Sequence, residues 1–288
     1  MTLAPARLLA RLGPTRLPTS AHLGLALLGG YLLLALLAPV VAPYDPHDYS
    51  FRPLQPPSPP HPLGTNDAGH DILSELVHGA RVSVVAGVSV AILAGGGGAL
   101  VGAVSGYLGG WADLVAMRVV DAFLVLPRLP LLLLLAAYLD DTLAHVVIIL
   151  AFVSWPEPAR VVRGQVASLR QRGHIQAAQG FGAGSPHVLV HHLLPELGPI
   201  LVALLVRLAS RAILMEAGLA FLGIGDITAK SWGLMINHAL RYPGIYFGST
   251  WVWWLLPPAL CVAFFVLGLT LVGASLEHRL NPRLGRAS

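Results

Sequence analysis

Five ionisable side chains lie inside stretches that are otherwise apolar: Arg118, Asp121, Arg207, Arg211 and Glu216. Charges at membrane depth are costly, and they persist where they pair, face a bundle interior or line a water-filled path. Arg118 and Asp121 are three residues apart and can share a helix face. Two readings stand for them, a lock between helices and the lining of a solute path. Arg211 and Glu216 are five apart and do not stack on one face, so each is expected to bridge to another helix or another subunit. Asp121, Arg128, Arg207, Arg211 or Glu216, acting as a proton or substrate relay, would suit an intramembrane enzyme or a self-contained secondary transporter. No inverted internal repeat accompanies them. The polar run 61–87 holds no nucleophile, base and orienting group in series, and no Gly-x-x-x-x-Gly-Lys-Ser/Thr loop for ATP occurs anywhere in the chain.

Twelve histidines raise the question of a metal, because imidazole suits nickel, copper and zinc. His187 and His191 are four apart and can face one ligand, whereas His191 and His192 are adjacent and cannot. His174 lies in the same loop, and His61, His70 and His78 form a second group. The alternative for all of them is a solvated or partner-facing imidazole, and no metal ligand is assigned. The lone Cys261 excludes an intrachain disulfide and supports no thiolate metal site.

The elements that must position these residues are apolar helices. Of 288 residues, 55% are hydrophobic and only 11% charged, with a mean hydropathy of +0.71; soluble domains carry about a quarter charged residues. The chain therefore reads as an all-α integral membrane protein. Its net charge of +4, gathered in a few polar segments, fits orientation in a membrane rather than nucleic-acid binding. Spanning helices are expected over 23–41, 82–107, 113–139, 143–159, 197–222 and 251–273, six in all. The basic front and apolar run of the first resemble a secretory signal, but the run is too long and no cleavage site follows, so it reads as a retained helix.

Between the first two helices the prolines from Pro43 to Pro60 forbid helix interior and central strand, giving an extended connection. Gly64 and Gly69 suit tight turns, and Thr65 or Asn66 suits a helix cap. Gly95 to Gly98 weaken the second helix but let neighbours approach closely. Trp155 to Pro158 are expected to end the fourth helix, Asp140 and Asp141 to turn the chain before it, and Trp251, Trp253 and Trp254 to form an interfacial belt at the sixth. After Gly223 and Gly225 break the fifth helix, residues 231–250 read as a re-entrant or surface segment. Arg7, Arg11, Arg16, Arg160, Arg163, Arg170, Arg172, Arg279, Arg283 and Arg286 fall on one side, against Arg52, Arg81, Lys230 and Arg241 on the other. The positive-inside rule then puts both termini and the loop 160–196 in the cytoplasm.

That loop holds a short helix of small residues at 175–179, closed by Gly180, Gly182 and Gly184, which suits a docking surface. Here the sequence resembles the permease subunits of binding-protein-dependent ABC importers. Their cytoplasmic signature is Glu-Ala-Ala, three residues, Gly, nine residues, Ile, one residue, Leu-Pro. Gln176, Ala177 and Ala178 take the first places, Gly182 the glycine, His192 the isoleucine, and Leu194 and Pro195 the end. A second segment, with Leu63, Gly64, Thr65, Gly69, Asp71, Ser74, Gly79, Ala80, Arg81 and Ser83 in register and Asn66 and His70 departing, is similar to the dipeptide, oligopeptide and nickel permeases. So is the third, Glu-Ala-Gly-Leu-Ala-Phe-Leu-Gly-Ile-Gly from Glu216, with Ser231, Trp232 and Gly233 following. Arg118, Asp121 and Pro127 resemble the family's Met-Arg-x-x-Asp before a Pro, and Asn281, Pro282 and Arg283 its Asp-Pro-Arg.

The resemblance implies a type I ABC importer permease, with residues 1–62 as an N-terminal segment, first helix and Pro-rich external connection, and 63–288 as the five-helix core. It implies a multi-pass subunit of a bacterial or archaeal cytoplasmic (inner) membrane, forming half of a pathway for a solute delivered by a binding protein. Its partners would be a second homologous permease, two ATP-binding subunits, the extracytoplasmic solute-binding protein and the lipid bilayer. This chain would be no enzyme and bind no cofactor, with ATP and Mg used by the partner subunits and Gln176, Ala177, Ala178, Gly182, Leu194 and Pro195 passing their motion to the membrane. Di- or oligopeptides are the expected solutes, with nickel or another metal chelate as the alternative.

Overall fold

The computed structural model describes residues 19–138, 142–225 and 229–280, with side chains as far as residue 276. The cations Arg7, Arg11 and Arg16, the Asp140 and Asp141 turn, the Arg279 side chain, and Asn281, Pro282, Arg283 and Arg286 lie outside the described residues. Among those described, the named elements are all helical: α1 (Thr19–Val41), α2 (Ile72–Leu108), α3 (Gly110–Val125), α4 (Arg128–Ala136), α5 (Leu143–Ser154), α6 (Pro156–Leu169), α7 (Gly173–Gly180), α8 (Ser185–Val188), α9 (Leu194–Phe221), α10 (Trp232–Arg241), α11 (Thr250–Trp254) and α12 (Leu256–Leu280). A π-turn, Leu189–Leu193, joins α8 to α9, and a 3₁₀ turn, Pro243–Tyr246, follows α10.

Four apolar helical stretches are long enough to cross a membrane, Thr19–Val41, Ile72–Leu108, Ser185–Phe221 and Thr250–Leu276, and the number rises to six when each of two bent helix pairs is counted as one span. Helices α3 and α4 meet at 89°, and α5 and α6 at 42°. The expected single helix over 113–139 is thus two pieces, because Pro127 sits at the N-cap of α4 with extended backbone. At 143–159 the expectation fails in the other direction. Trp155 bends the chain, but α6 runs on to Leu169 because Pro156 stands in its first turn, where no amide donor is needed. Arg160 and Arg163 are therefore helical residues rather than the opening of a polar loop.

Helix α2 is the axis of the bundle and packs on α6, α9, α1 and α5. At 37 residues it is about 55 Å long, against roughly 30 Å of hydrocarbon. It begins ten residues before the apolar run because Asp71, not Thr65 or Asn66, caps it: the Asp71 carboxylate accepts from the Ser74 amide at 2.8 Å and the Ser74 hydroxyl at 2.7 Å. The four glycines do not break it. A Cβ on Gly98 would lie 2.4 Å from the Trp155 carbonyl oxygen, and on Gly102 2.3 Å from that of Ala159, whereas Gly96 and Gly97 face open space. Gly98, Gly102 and Gly106 are one turn apart and let α6 approach backbone to backbone.

Three apolar clusters hold the bundle. Near Ile72, residues Ala80, Ile213, Trp232, Trp254 and Phe265 pack together. Val90, Leu132, Ile149, Leu150 and Leu219 fill the middle. Tyr107, Val162, Ile175, Val188 and Leu197 fill the Leu108 end. Of the tryptophans expected as an interfacial belt, only Trp251 is exposed; Trp253 and Trp254 are buried, Trp254 against Tyr242 at 5.7 Å. Residues 42–71 form a folded cap rather than a free extended connection. Thr65 pairs with Asp71 as an isolated bridge, and His61 is buried between Tyr44, Phe51 and Asp71. Gly64 and Gly69 take the positive φ that the tight turns need.

Candidate functional site

At the Leu108 end, α7 projects as a short hairpin. Ile175 is fully buried beneath it, anchoring it to Val188 and Leu197, while Gln176 and Ala177 are exposed and Ala178 half-buried. The helix ends in a Schellman closure: the Ala183 amide donates to Ala178 O and the Gly182 amide to Gln179 O, both at 3.0 Å. Gly182 is the left-handed residue, φ +86°, with open space where a side chain would stand. Gly180 is instead the last helical residue and Gly184 has φ −66°, so neither is the left-handed stop expected from the sequence. Phe181, missed in the sequence, is 93% exposed at the tip; an aromatic flanked by Gly180 and Gly182 in a polar loop was its signal. Glu196 braces the hairpin, accepting from Arg172 Nη1 at 2.7 Å with His174 Nε2 at 2.9 Å. Leu194 is exposed, and Pro195 stands in the first turn of α9.

The five ionisable residues do not form one network. Asp121 pairs with Arg160 of α6 rather than with Arg118. Arg163 Nε donates to Asp113 Oδ1 at 2.9 Å. Higher along α6, Glu157 Oε2 accepts from Arg128 Nη2 at 3.2 Å and also from Arg211. Residues 157, 160 and 163 are three apart on one face of α6, so these pairs make a seam along α3 and α4. Asp113 and Glu157 are not singled out as site residues in the sequence, and Arg160 and Arg163 read there only as cations of a cytoplasmic loop, because the expected helix end at Trp155–Pro158 puts residues 157, 160 and 163 in or beside that loop. Asp113, Arg118, Asp121, Arg160 and Arg163 line a surface cleft of about 450 Å³. Arg207 is exposed on α9 and is not among the seam's pairs.

Glu216 stands apart and is only 3% exposed. Its carboxylate accepts from Ser83 Oγ of α2 at 3.3 Å, and a small, partly open pocket of about 20 Å³ beside it, lined in part by Val82, Val146 and Ser231, has room for one water. Both Arg211 and Glu216 thus bridge to other helices, as their spacing implied.

Near the N-terminus of α2 a second polar cluster closes the opposite end. Glu75, 3% exposed, accepts from Lys230 Nζ at 2.7 Å and Asn66 Nδ2 at 3.1 Å, with His70 Nδ1 at 3.7 Å. Burial pushes the His70 imidazole below its ordinary pKa, and the Lys230 charge adds to that. Burial does the same to His238, opposed by the Glu75 carboxylate. The Trp232 indole donates to Leu76 O at 3.0 Å, and Gly79 admits that ring, since a Cβ there would lie 2.9 Å from it. Arg81 is exposed.

The His187 and His191 rings stack at 4.3 Å, and His191 Nδ1 lies 3.2 Å from His187 O. Among the described residues no three His, Cys, Asp or Glu side chains converge as a metal ligand set.

Residues 98–286 match the family described as binding-protein-dependent transport system inner membrane component, and residues 19–57 match the N-terminal TM domain of oligopeptide transport permease C. The chain is 37% identical over 266 residues to a putative peptide permease protein of Brucella suis, covering 92% of this chain and 87% of that one. It is 34% identical to the oligopeptide transport system permease protein of Bacillus subtilis, covering 92% and 86%. It is 33% identical to the dipeptide transport system permease protein of Alkalihalophilus pseudofirmus, again covering 92% and 86%. On these matches the chain belongs to the family of inner membrane components of binding-protein-dependent transport systems, multi-pass subunits that are not themselves catalytic and carry no cofactor of their own.

Proposed function

We propose that this chain is half of the translocation pathway of an ATP-driven importer of di- or oligopeptides. The second half is a homologous permease, the solute arrives on an extracytoplasmic binding protein, and two ATP-binding subunits using ATP and Mg engage from the cytoplasm. Support for the solute class comes from the relatives, which carry peptide, dipeptide and oligopeptide names over about nine-tenths of this chain.

The observation that carries the coupling role is the α7 hairpin. Its outer face of Gln176, Ala177 and Ala178 is small and uncharged, Gly182 leaves open space beside it, and Ile175 ties it to the bundle. Such a face fits a groove, and a buried anchor passes a push into α9, whose first turn holds Leu194 and Pro195. Both chain ends are read as cytoplasmic, which puts the hairpin with the ATP-binding subunits and the 42–71 cap with the binding protein. The division at residue 62 is kept as a reading: an N-terminal segment, first helix and Pro-rich external connection before it, a five-span core after it. Arg118, Asp121, Arg207, Arg211 and Glu216 are read as polar residues of the core, with Asp121 and Arg211 in the α6 seam.

The test is the ATPase rate of the complex in lipid vesicles, with the partner permease, ATP-binding subunits and binding protein present. Short peptides should raise the rate through the binding protein. Stimulation by nickel chelates alone would move the solute to metals, and an assembled complex that responds to no solute would sink the importer reading.

A further inference from the structure

Resting on that importer reading, we propose that Arg128, Glu157 and Arg211 form the station at which the permease holds the carboxylate of the passing peptide. Glu157 Oε2 accepts from both guanidinium groups, so the group carries one positive charge more than it neutralises. Its side chains are 34%, 27% and 37% exposed, hence in reach of a ligand. Glu157 lies near the midpoint of the bent span 143–169 and Arg211 inside the span Ser185–Phe221. An excess guanidinium charge at that depth does not face hydrocarbon; it faces a wet path or a counter-ion.

The backbone makes the same point independently. Two of the six spans are broken, and each break lies next to a member of this group: Arg128 follows Pro127 at the 89° break, and Glu157 follows Trp155 at the 42° break. Interrupted helices at mid-membrane frame solute sites in transporters, where backbone that has left the helix ladder lines a water-filled cavity or is covered by protein. A second carboxylate would balance the two guanidiniums and find planar, two-pronged donors suited to it. Every peptide carries such a group at its C-terminus, whatever its side chains. Toward the Asp113 end the cleft holds Arg118 together with the Arg160–Asp121 and Arg163–Asp113 pairs, three cations to two carboxylates, so one positive charge is left over along the way out.

The experiment compares trialanine with its C-terminal amide in vesicles holding the whole complex, at equal concentrations of loaded binding protein. The readout is the ratio of initial uptake rates, acid over amide. Wild type should favour the acid roughly tenfold, the scale of one charge-assisted hydrogen bond. Arg128→Gln and Arg211→Gln should each bring the ratio close to one. A wild type that does not discriminate, or a wild-type ratio kept by both variants, overturns the proposal and leaves the group a helix clamp. Should the glutamine variants not assemble, Arg128→Lys and Arg211→Lys decide: a point charge in place of the fork should cut the ratio to about threefold, and an unchanged ratio overturns it. Failure of the assembled wild type to take up either peptide is a different result, which overturns the importer reading beneath this one.

Discussion

Lys230 Nζ and Glu75 Oε1, 155 positions apart in sequence, meet at 2.7 Å with side chains 11% and 3% exposed. The contact ties the first turn of α2 to the strand of chain entering α10, closing the end of the bundle opposite the hairpin. Removing one member leaves the other charge buried.

Lys230→Met should therefore destabilise by about 3 kcal/mol, and Lys230→Met with Glu75→Gln by clearly less, since the double change leaves no orphaned charge. Melting of the detergent-purified protein, read as a double-mutant cycle, checks this. Additive losses would show that the pair is not coupled.

His70 and His238 surround the same contact, with Asp48, Asp67, His47 and Arg241 contributing charge. Their folded-state pKa values lie below 6.5, so the unfolded chain takes up protons first as pH falls. The stability is whole above 6.5 and declines as pH drops from there through the lowered folded values. Melting at pH 5.5 should fall below that at pH 7.5, and by less in a His70→Gln, His238→Gln variant. Equal pH dependence in both proteins would refute it.

The glycines of α2 give opposite forecasts at neighbouring positions. Gly102→Ala puts a methyl 2.3 Å from the Ala159 carbonyl and should cost about 1–3 kcal/mol as α6 is pushed away. Gly97→Ala meets nothing and should stabilise the helix by about 0.5–1 kcal/mol. Thermal unfolding of the two variants tells them apart.

At the hairpin, Phe181→Asp and Gly182→Trp alter only the outer face, while Ile175 stays in place. Both should keep the fold, Phe181→Asp with melting unchanged and Gly182→Trp at a cost of about 1 kcal/mol because its backbone is left-handed, and both should lower peptide-stimulated ATPase activity about tenfold by spoiling the fit to the ATP-binding subunit. Unchanged stimulation in both would show that the docking face lies elsewhere.

The sequence told most where a local rule was sufficient. Gly64, Gly69, Gly182 and Gly223 take positive φ, and Arg211 and Glu216 bridge to different helices, because turn chemistry and helix spacing need no knowledge of neighbours. It misled where two signals competed. Trp155-Pro156-Glu157-Pro158 carries both a breaker and a helix start, and the choice of breaker hid the α6 seam. Asp121 found Arg160, thirty-nine positions on, because α3 and α6 lie side by side; sequence distance offered only Arg118. Trp253 and Trp254 are buried because α10 folds back over α12, a tertiary fact that hydropathy does not contain.

The rod Ser185–Phe221 runs without a straight-chain interruption from the hairpin to the far end, where the Asn237 amide latches onto the Phe221 carbonyl. Midway it is gripped by Gly87 against Ile213 and Gly95 against Leu205. A stiff bar held at its middle is a lever: a tilt at its His187 end reappears, reversed in sense, beside Trp232 and the 42–71 cap. Its compliant joints are the wide π-turn at Leu189–Leu193 and Pro199 inside the helix, both on the His187 side of the grip, so torque entering there is softened before it reaches the fulcrum.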